Sequence, residues 1–258
     1  MQIPSRPRFF DLDFGFSSYN NKAMTRDSRG GYNRKPVNED FFKTWSPNMA
    51  YVLGFMYADG SILNTNDSSR TYYLLFSNND LDILSQIRDT LNSSHNIYLR
   101  PKRAIKIRGK DYISQSGYVL RIGNKIMYQD LIALGMQHKK SNIMVLPKIP
   151  SKYLSFFVRG YFDGDGCVSW HYANARNFPS LRVLFTSGST QFLSELSGAL
   201  SSKLDILSSY IYKNLGASNL VYQGSRAVSV LDYIYSGLNQ ASFLKYKYRK
   251  YLDYRNNL

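Results

Sequence analysis

The sequence predicts an α+β protein of two pseudo-symmetric halves, each ordered helix, two strands, helix, two strands, helix (αββαββα). Three observations predict it. Two short segments read almost alike, Tyr51-Val52-Leu53-Gly54-Phe55-Met56-Tyr57-Ala58-Asp59-Gly60 and Phe157-Val158-Arg159-Gly160-Tyr161-Phe162-Asp163-Gly164-Asp165-Gly166. They lie 106 positions apart (59 to 165) in a chain of 258 residues, so each half supplies one carboxylate. The residues C-terminal to each segment also match: a β-rich run, a polar turn and a helix start.

Each motif reads as a helix. Gly54 and Ala58 lie four apart on one face, as do Gly160 and Gly164. Small residues at this spacing let two helix backbones approach closely. Tyr51, Phe55, Tyr161 and Phe162 cover the flanking faces. Asp59 and Asp165 then fall at the helix C-termini, and parallel packing brings them together. Gly60 and Gly166 are the expected C′ glycines that turn the chain into the next strand.

The β-rich runs are Tyr72-Tyr73-Leu74-Leu75-Phe76 and Leu181-Arg182-Val183-Leu184-Phe185. Asp80 and Ser189 are natural N-caps for the succeeding helices. Apolar spacing runs through Leu81, Leu84, Ile87 and Leu91, and through Phe192, Leu193, Leu196 and Leu200. Further β-rich stretches, Ile97 to Ile122 and Tyr210 to Tyr222, lead to helices at 125–134 and 226–235, closed by Gly135 and Gly237. A basic segment ends each half, His138-Lys139-Lys140 and Lys245-Tyr246-Lys247-Tyr248-Arg249-Lys250. These elements give an N-terminal arm over 1–38, a first repeat over 39–146, a linker over 147–152 carrying Pro147 and Pro150, and a second repeat over 153–258.

Charge narrows the partner. Thirty-three Lys and Arg face 18 Asp and Glu, a net +15, which points to nucleic acid. Apolar residues make up 43%, enough to exclude disorder of the whole chain. One cysteine, Cys167, excludes a disulfide framework or a thiolate metal site, and its place after the second motif suggests inert buried packing. His95, His138 and His171 lack zinc-ligand spacing. No apolar run reaches transmembrane length, so a soluble, intracellular protein is expected, in bacterial cytoplasm or organelle matrix alike.

Two carboxylates at adjacent helix C-termini are opposed by both macrodipoles and by each other. Cations relieve that cost, and hard oxygen ligands favour Mg²⁺. In a basic protein this points to metal-dependent chemistry on a polyanion.

The paired segments Leu53-Gly54-Phe55-Met56-Tyr57-Ala58-Asp59-Gly60 and Arg159-Gly160-Tyr161-Phe162-Asp163-Gly164-Asp165-Gly166 resemble the LAGLIDADG motifs of homing endonucleases in the single-chain, two-repeat form, over about residues 40 to 255. The resemblance implies a saddle of antiparallel sheets over double-stranded DNA, a monomer with an internal pseudo-twofold axis, and hydrolysis of both strands of a long target with Mg²⁺; Mn²⁺ and Ca²⁺ are alternatives for the same sites. It implies Asp59 and Asp165 as metal ligands, with any backbone ligand near position 58 left open. Asp163 and Tyr57 are not counted as ligands. It implies a basic residue near the end of each repeat, Lys247 in the second and Lys140 (or Lys139) in the first. It also implies a solvent-positioning polar residue at the end of the second strand, Asn78 and Ser187. Strand parity, with Phe76 and Phe185 inward, turns Tyr73, Leu75, Arg182 and Leu184 toward DNA. Arg100, Lys102, Lys106, Arg108 and Lys213 are further candidates.

Two other functions compete: an RNA maturase that assists intron splicing, with RNA as partner, and a non-catalytic DNA-binding protein on the same scaffold. Intact Asp59 and Asp165 favour the nuclease. No flanking segment resembles a protein-splicing half, so an intron-encoded or free-standing gene is expected.

Overall fold

The computed structural model describes residues 35–64, 72–107, 109–171, 179–214 and 216–256. Most of the expected N-terminal arm and Arg108 lie outside them. The first half runs α1 (Pro47–Asp59), β1 (Gly60–Asn64), β2 (Tyr72–Asn78), α2 (Leu81–Thr90), β3 (Ile97–Arg100), β4 (Arg103–Ile107), β5 (Lys110–Ser114), β6 (Gly117–Gly123) and α3 (Lys125–Ala133). The second runs α4 (Leu154–Asp165), β7 (Gly166–His171), β8 (Ser180–Ser187), α5 (Thr190–Leu204), β9 (Ile211–Asn214), β10 (Ala217–Gln223), α6 (Ser225–Ile234) and α7 (Lys245–Asn256).

Two antiparallel four-stranded sheets have matching orders, β1-β2-β6-β3 and β7-β8-β10-β9. The stretch from Ile97 to Ile122 departs from the two-strand expectation. β3 and β6 are the pair that match β9 and β10, and β4 and β5 form a separate hairpin inserted between them. In the second half only positions 215 and 216 separate the corresponding strands, β9 and β10.

α1 and α4 form the most extensive packing between any two elements. A Cβ on Gly54 would stand 2.0 Å from the carbonyl oxygen of Phe157, and one on Gly160 would stand 2.0 Å from that of Tyr51. Later residues meet later residues, since a Cβ on Gly164 would stand 2.4 Å from Ala58 Cβ. The two helices therefore run parallel at backbone contact, and only glycine fits where they cross. Tyr51, Phe55, Tyr161 and Phe162 are fully buried around that contact.

Gly60 and Gly166 differ from expectation. Both are extended (φ −96° and −92°), not left-handed helix ends. Glycine is required there for space. A Cβ on Gly60 would meet Met56 Sδ at 2.5 Å, and one on Gly166 would meet Phe162 Cδ2 at 2.2 Å.

Asp80 caps α2 by accepting from the N–H groups of Asp82 and Ile83, and Ser189 caps α5 through Phe192 N–H. The buried stripe of α2 is Ile83, Leu84 and Ile87, continued by Leu91. Leu81, at the first helical position, is instead 42% exposed on the rim of a cleft. Phe192, Leu193, Leu196 and Leu200 are buried as the spacing predicts. Among the described residues no helix is long and apolar enough to cross a membrane.

Candidate metal centre and nucleic-acid face

Asp59 and Asp165 meet at the C-terminal tips of α1 and α4. A Cβ on Gly164 would lie 3.5 Å from Asp59 Cγ, which measures how near the first carboxylate is to the second motif. Burial, and then the charge of Asp59, pushes the Asp165 carboxyl up to about 6. Burial also raises Asp59, against the pull of an Asn78 hydrogen bond and of Lys247 and Lys140. The pair thus holds two anions where anions are unfavourable. It is a two-acid centre: among the described residues no group of three or more His, Cys, Asp or Glu is placed to hold a metal. Two partly buried carboxylates are hard oxygen donors that fit a divalent cation.

A buried lysine sits beside each helix end. Lys140 Nζ donates to Ala58 O at 3.1 Å, and Lys140 is 7% exposed. Lys247 Nζ donates to the carbonyls of Phe162 (2.6 Å), Asp163 (2.9 Å) and Gly166 (2.6 Å), and Lys247 is 2% exposed. Ala58 O and Asp163 O lie in the last turns of α1 and α4, so the lysines supply donors at the two helix C-termini. Burial lowers both amines, while Asp165 and Asp59 raise Lys140, and Asp163 and Asp59 raise Lys247. Lys139 and Lys140 are placed differently: Lys140 is buried against the tip of α1 and Lys139 is exposed. Lys139 has φ +55°, which turns its side chain out to solvent and seats Lys140 inward.

The strand ends after β2 and β8 are alike in backbone role and unlike in reach. Asn78 Oδ1 accepts from Asp80 N–H at 2.9 Å, and Ser187 Oγ accepts from Ser189 N–H at 3.0 Å. Asn78 has an amide left over, which donates to Asp59 Oδ2 at 2.8 Å. Ser187 is 4% exposed and its short side chain is taken up by the turn. The two carboxylates therefore have different support.

A cleft of about 910 Å³ opens beside Asp59, lined by Asn78, Asp80, Arg100, Tyr118, Leu244 and Tyr246 among others. Arg100 Nε has no hydrogen-bond partner there.

Pairing register decides which residues line the sheets' outer faces. Tyr73 and Leu75 alternate with buried Leu74 and Phe76, and Arg182 and Leu184 with buried Leu181, Val183 and Phe185. Arg121 pairs with Leu75 and lays its guanidinium 3.6 Å over the Tyr73 ring. Arg182 donates to Tyr212 Oη at 3.1 Å. Sequence reasoning missed both Arg121 and Tyr212, although β6 alternates as β2 does. Lys213 lies elsewhere than expected. It pairs with Ser218, which is 2% exposed under the helices, so Lys213 belongs to the helix side of edge strand β9 and Tyr212 to the outer face. Lys102 and Lys106 are exposed at the inserted hairpin. Cys167 is exposed, not packed, because Val168 takes the inward position of β7.

Residues 152–247 match the family model of the LAGLIDADG-like domain. The fold resembles the homing endonuclease I-WcaI bound to its DNA recognition sequence, with a TM-score of 0.51 and 14% identity over 81% of this chain and 90% of that one. It resembles mesophilic variants of the homing endonuclease I-DmoI at 0.51 and 14%, covering 82% and 97%. It also resembles the LAGLIDADG homing endonuclease I-GzeII in complex with its DNA target at 0.51 and 14%, covering 83% and 89%. At such identity the likeness is one of fold. A 72-residue stretch, 28% of the chain, is 36% identical to the reverse gyrase of Methanocaldococcus jannaschii, of which it spans only 4%. The architecture is thus that of the LAGLIDADG homing endonucleases. Residues 152–247 match a LAGLIDADG-like domain, and over most of its length the chain has the fold seen in LAGLIDADG homing endonuclease structures.

Proposed function

We propose that the protein is a site-specific endonuclease that hydrolyses both strands of a long double-stranded DNA target with a divalent cation. The observation that carries this reading is the pair Asp59 and Asp165, pressed together at the tips of α1 and α4 with one buried lysine against each tip. Asp59 and Asp165 would hold Mg²⁺, which when bound lowers the pKa of its water and stabilises a leaving oxygen. Lys140 and Lys247 would offset negative charge on the scissile phosphates. Asn78 orients the Asp59 carboxylate. Tyr73, Leu75, Arg121, Arg182 and Leu184 would face the DNA, with the hairpin lysines Lys102 and Lys106 on its phosphates. The monomer's pseudo-twofold axis would address two strands with two near-equivalent halves.

The test is cleavage of a randomised duplex library by the full chain with Mg²⁺, with EDTA, and with Asp59→Asn. Metal-dependent cutting of a narrow set of long sites, lost in the variant but with DNA binding kept, is the expected result. Tight DNA or RNA binding without cutting would replace the nuclease reading with the regulator or the maturase.

A further inference from the structure

Two charged side chains of the second motif helix are buried without being needed by the carboxylate pair. Asp163 is 1% exposed, and its Oδ2 accepts from the Tyr51 hydroxyl of α1 at 2.9 Å and from the backbone N–H of Leu244 at 2.8 Å. Leu244 directly precedes α7, and Lys247 lies on the first turn of that helix. Lys247 Nζ returns to the backbone carbonyl of Asp163 at 2.9 Å. Asp163 therefore holds this turn at both ends, by its side chain at Leu244 and by its carbonyl at Lys247. Arg159, one helical turn earlier and fully buried, adds a third point, donating from Nη2 to Ala241 O at 3.3 Å.

A buried carboxylate is expensive, and an apolar residue at this position would pack at lower cost. The first half shows the alternative. The residue equivalent to Asp163 there is Tyr57, whose hydroxyl donates to Leu134 O at 3.1 Å, in the turn leading toward Lys140. Both residues stand two before a site carboxylate. Both reach across to the segment that delivers the lysine of their own half. The chemistry of the tether differs, and its target is the same.

We propose that Asp163 is a positioning residue that seats Lys247 by anchoring Leu244, and that Tyr57 does the same, more weakly, for Lys140. The consequence for cleavage rests on the nuclease reading; the seating itself does not. Loss of the Asp163 anchor unseats one lysine and leaves the other, so it slows one DNA strand selectively.

Two measurements test this on the full chain. The first needs no DNA: per-lysine rates of reductive methylation with formaldehyde and a borohydride, read by mass spectrometry. Asp163→Leu should raise the rate at Lys247 by about fivefold or more, the equivalent of one lost hydrogen bond, with Lys140 unchanged. Asp163→Asn, whose amide oxygen still accepts from Leu244, should keep Lys247 protected. Tyr57→Phe keeps the ring packed against Phe157 and should raise Lys140 and not Lys247. If Asp163→Leu does not fold, Asp163→Ser, too short to reach Leu244, serves in its place. An unchanged Lys247 rate, or an equal rise at both lysines, overturns the proposal. The second measurement is strand-resolved cleavage of a supercoiled plasmid carrying the target. Accumulation of nicked circle with one strand slowed is expected, and equal slowing of both strands overturns it. A parent protein that cuts no DNA refutes the nuclease reading instead, and the methylation result stands independently.

Discussion

Replacing Asp165 by Asn should make the metal-free protein more stable. Burial and the neighbouring Asp59 raise this carboxyl from 3.8 to about 6, so the folded state disfavours its ionised form. A rise of that size corresponds to about 3 kcal/mol held against folding at neutral pH. The sign comes from proton linkage. The cost is fully present above the folded value near 6 and fades toward zero below the unfolded value near 4. Asn keeps the size and polarity of the side chain and removes the charge. Urea or thermal unfolding of parent and Asp165→Asn in EDTA should therefore differ by about 2–3 kcal/mol at pH near 7.5, roughly 5–10 °C in Tm for a chain of this size, and converge near pH 4. Adding Mg²⁺ should stabilise the parent through binding to the native state and leave the variant nearly unmoved. A variant less stable than the parent at neutral pH, or a difference that does not shrink on acidification, would refute the argument that the carboxylates are held together at an energetic cost.

The same geometry carries other expectations. Gly54→Ala or Gly160→Ala forces a Cβ to within 2.0 Å of a backbone carbonyl and should cost about 3 kcal/mol or more, read by equilibrium unfolding. Asn78→Ala removes the hydrogen bond to Asp59, and slowing of a single strand by about tenfold is expected in strand-resolved cleavage, because Ser187 gives Asp165 no matching bond. DNA affinity should fall roughly a thousandfold between ~50 and ~200 mM salt if about six phosphates are contacted, measured by fluorescence anisotropy. Arg182→Ala should cost about 1–3 kcal/mol of affinity for the cognate site in the same assay, and less for unrelated DNA.

Much of the fold was legible because it is periodic. The motif helices were readable from small residues four apart, and the inward and outward sets of β2 and β8 from simple alternation. The caps at Asp80 and Ser189 came from local chemistry. What escaped depends on pairing at long range. The span from Ile97 to Ile122 is β-rich throughout, so nothing local says that four strands, not two, are cut from it. The face of Lys213 is decided by its partner Ser218 and not by its own short strand. Lys140 is marked by its burial and its bond to Ala58 O, 82 positions away, which no local pattern reports. The seat of Asp163 joins residues 81 and 112 positions away, which no motif reading reaches.

The contact between the two motif helices has a consequence for how such proteins can be recombined. Where α1 crosses α4, backbone touches backbone, and the fit of Gly54 and Gly160 depends on no particular neighbouring side chain. A transplanted half that carries glycine at the matching position would meet the same glycine-on-carbonyl seam. The Tyr51–Asp163 hydrogen bond crosses that seam as a matched pair, with a phenol on one half and a carboxylate on the other. A chimaera that keeps only Tyr51 would bury a hydroxyl without this partner, and one that keeps only Asp163 would leave its Oδ2 with the Leu244 N–H but without the phenol. The seam rests on backbone alone, and the bond across it needs one residue from each half.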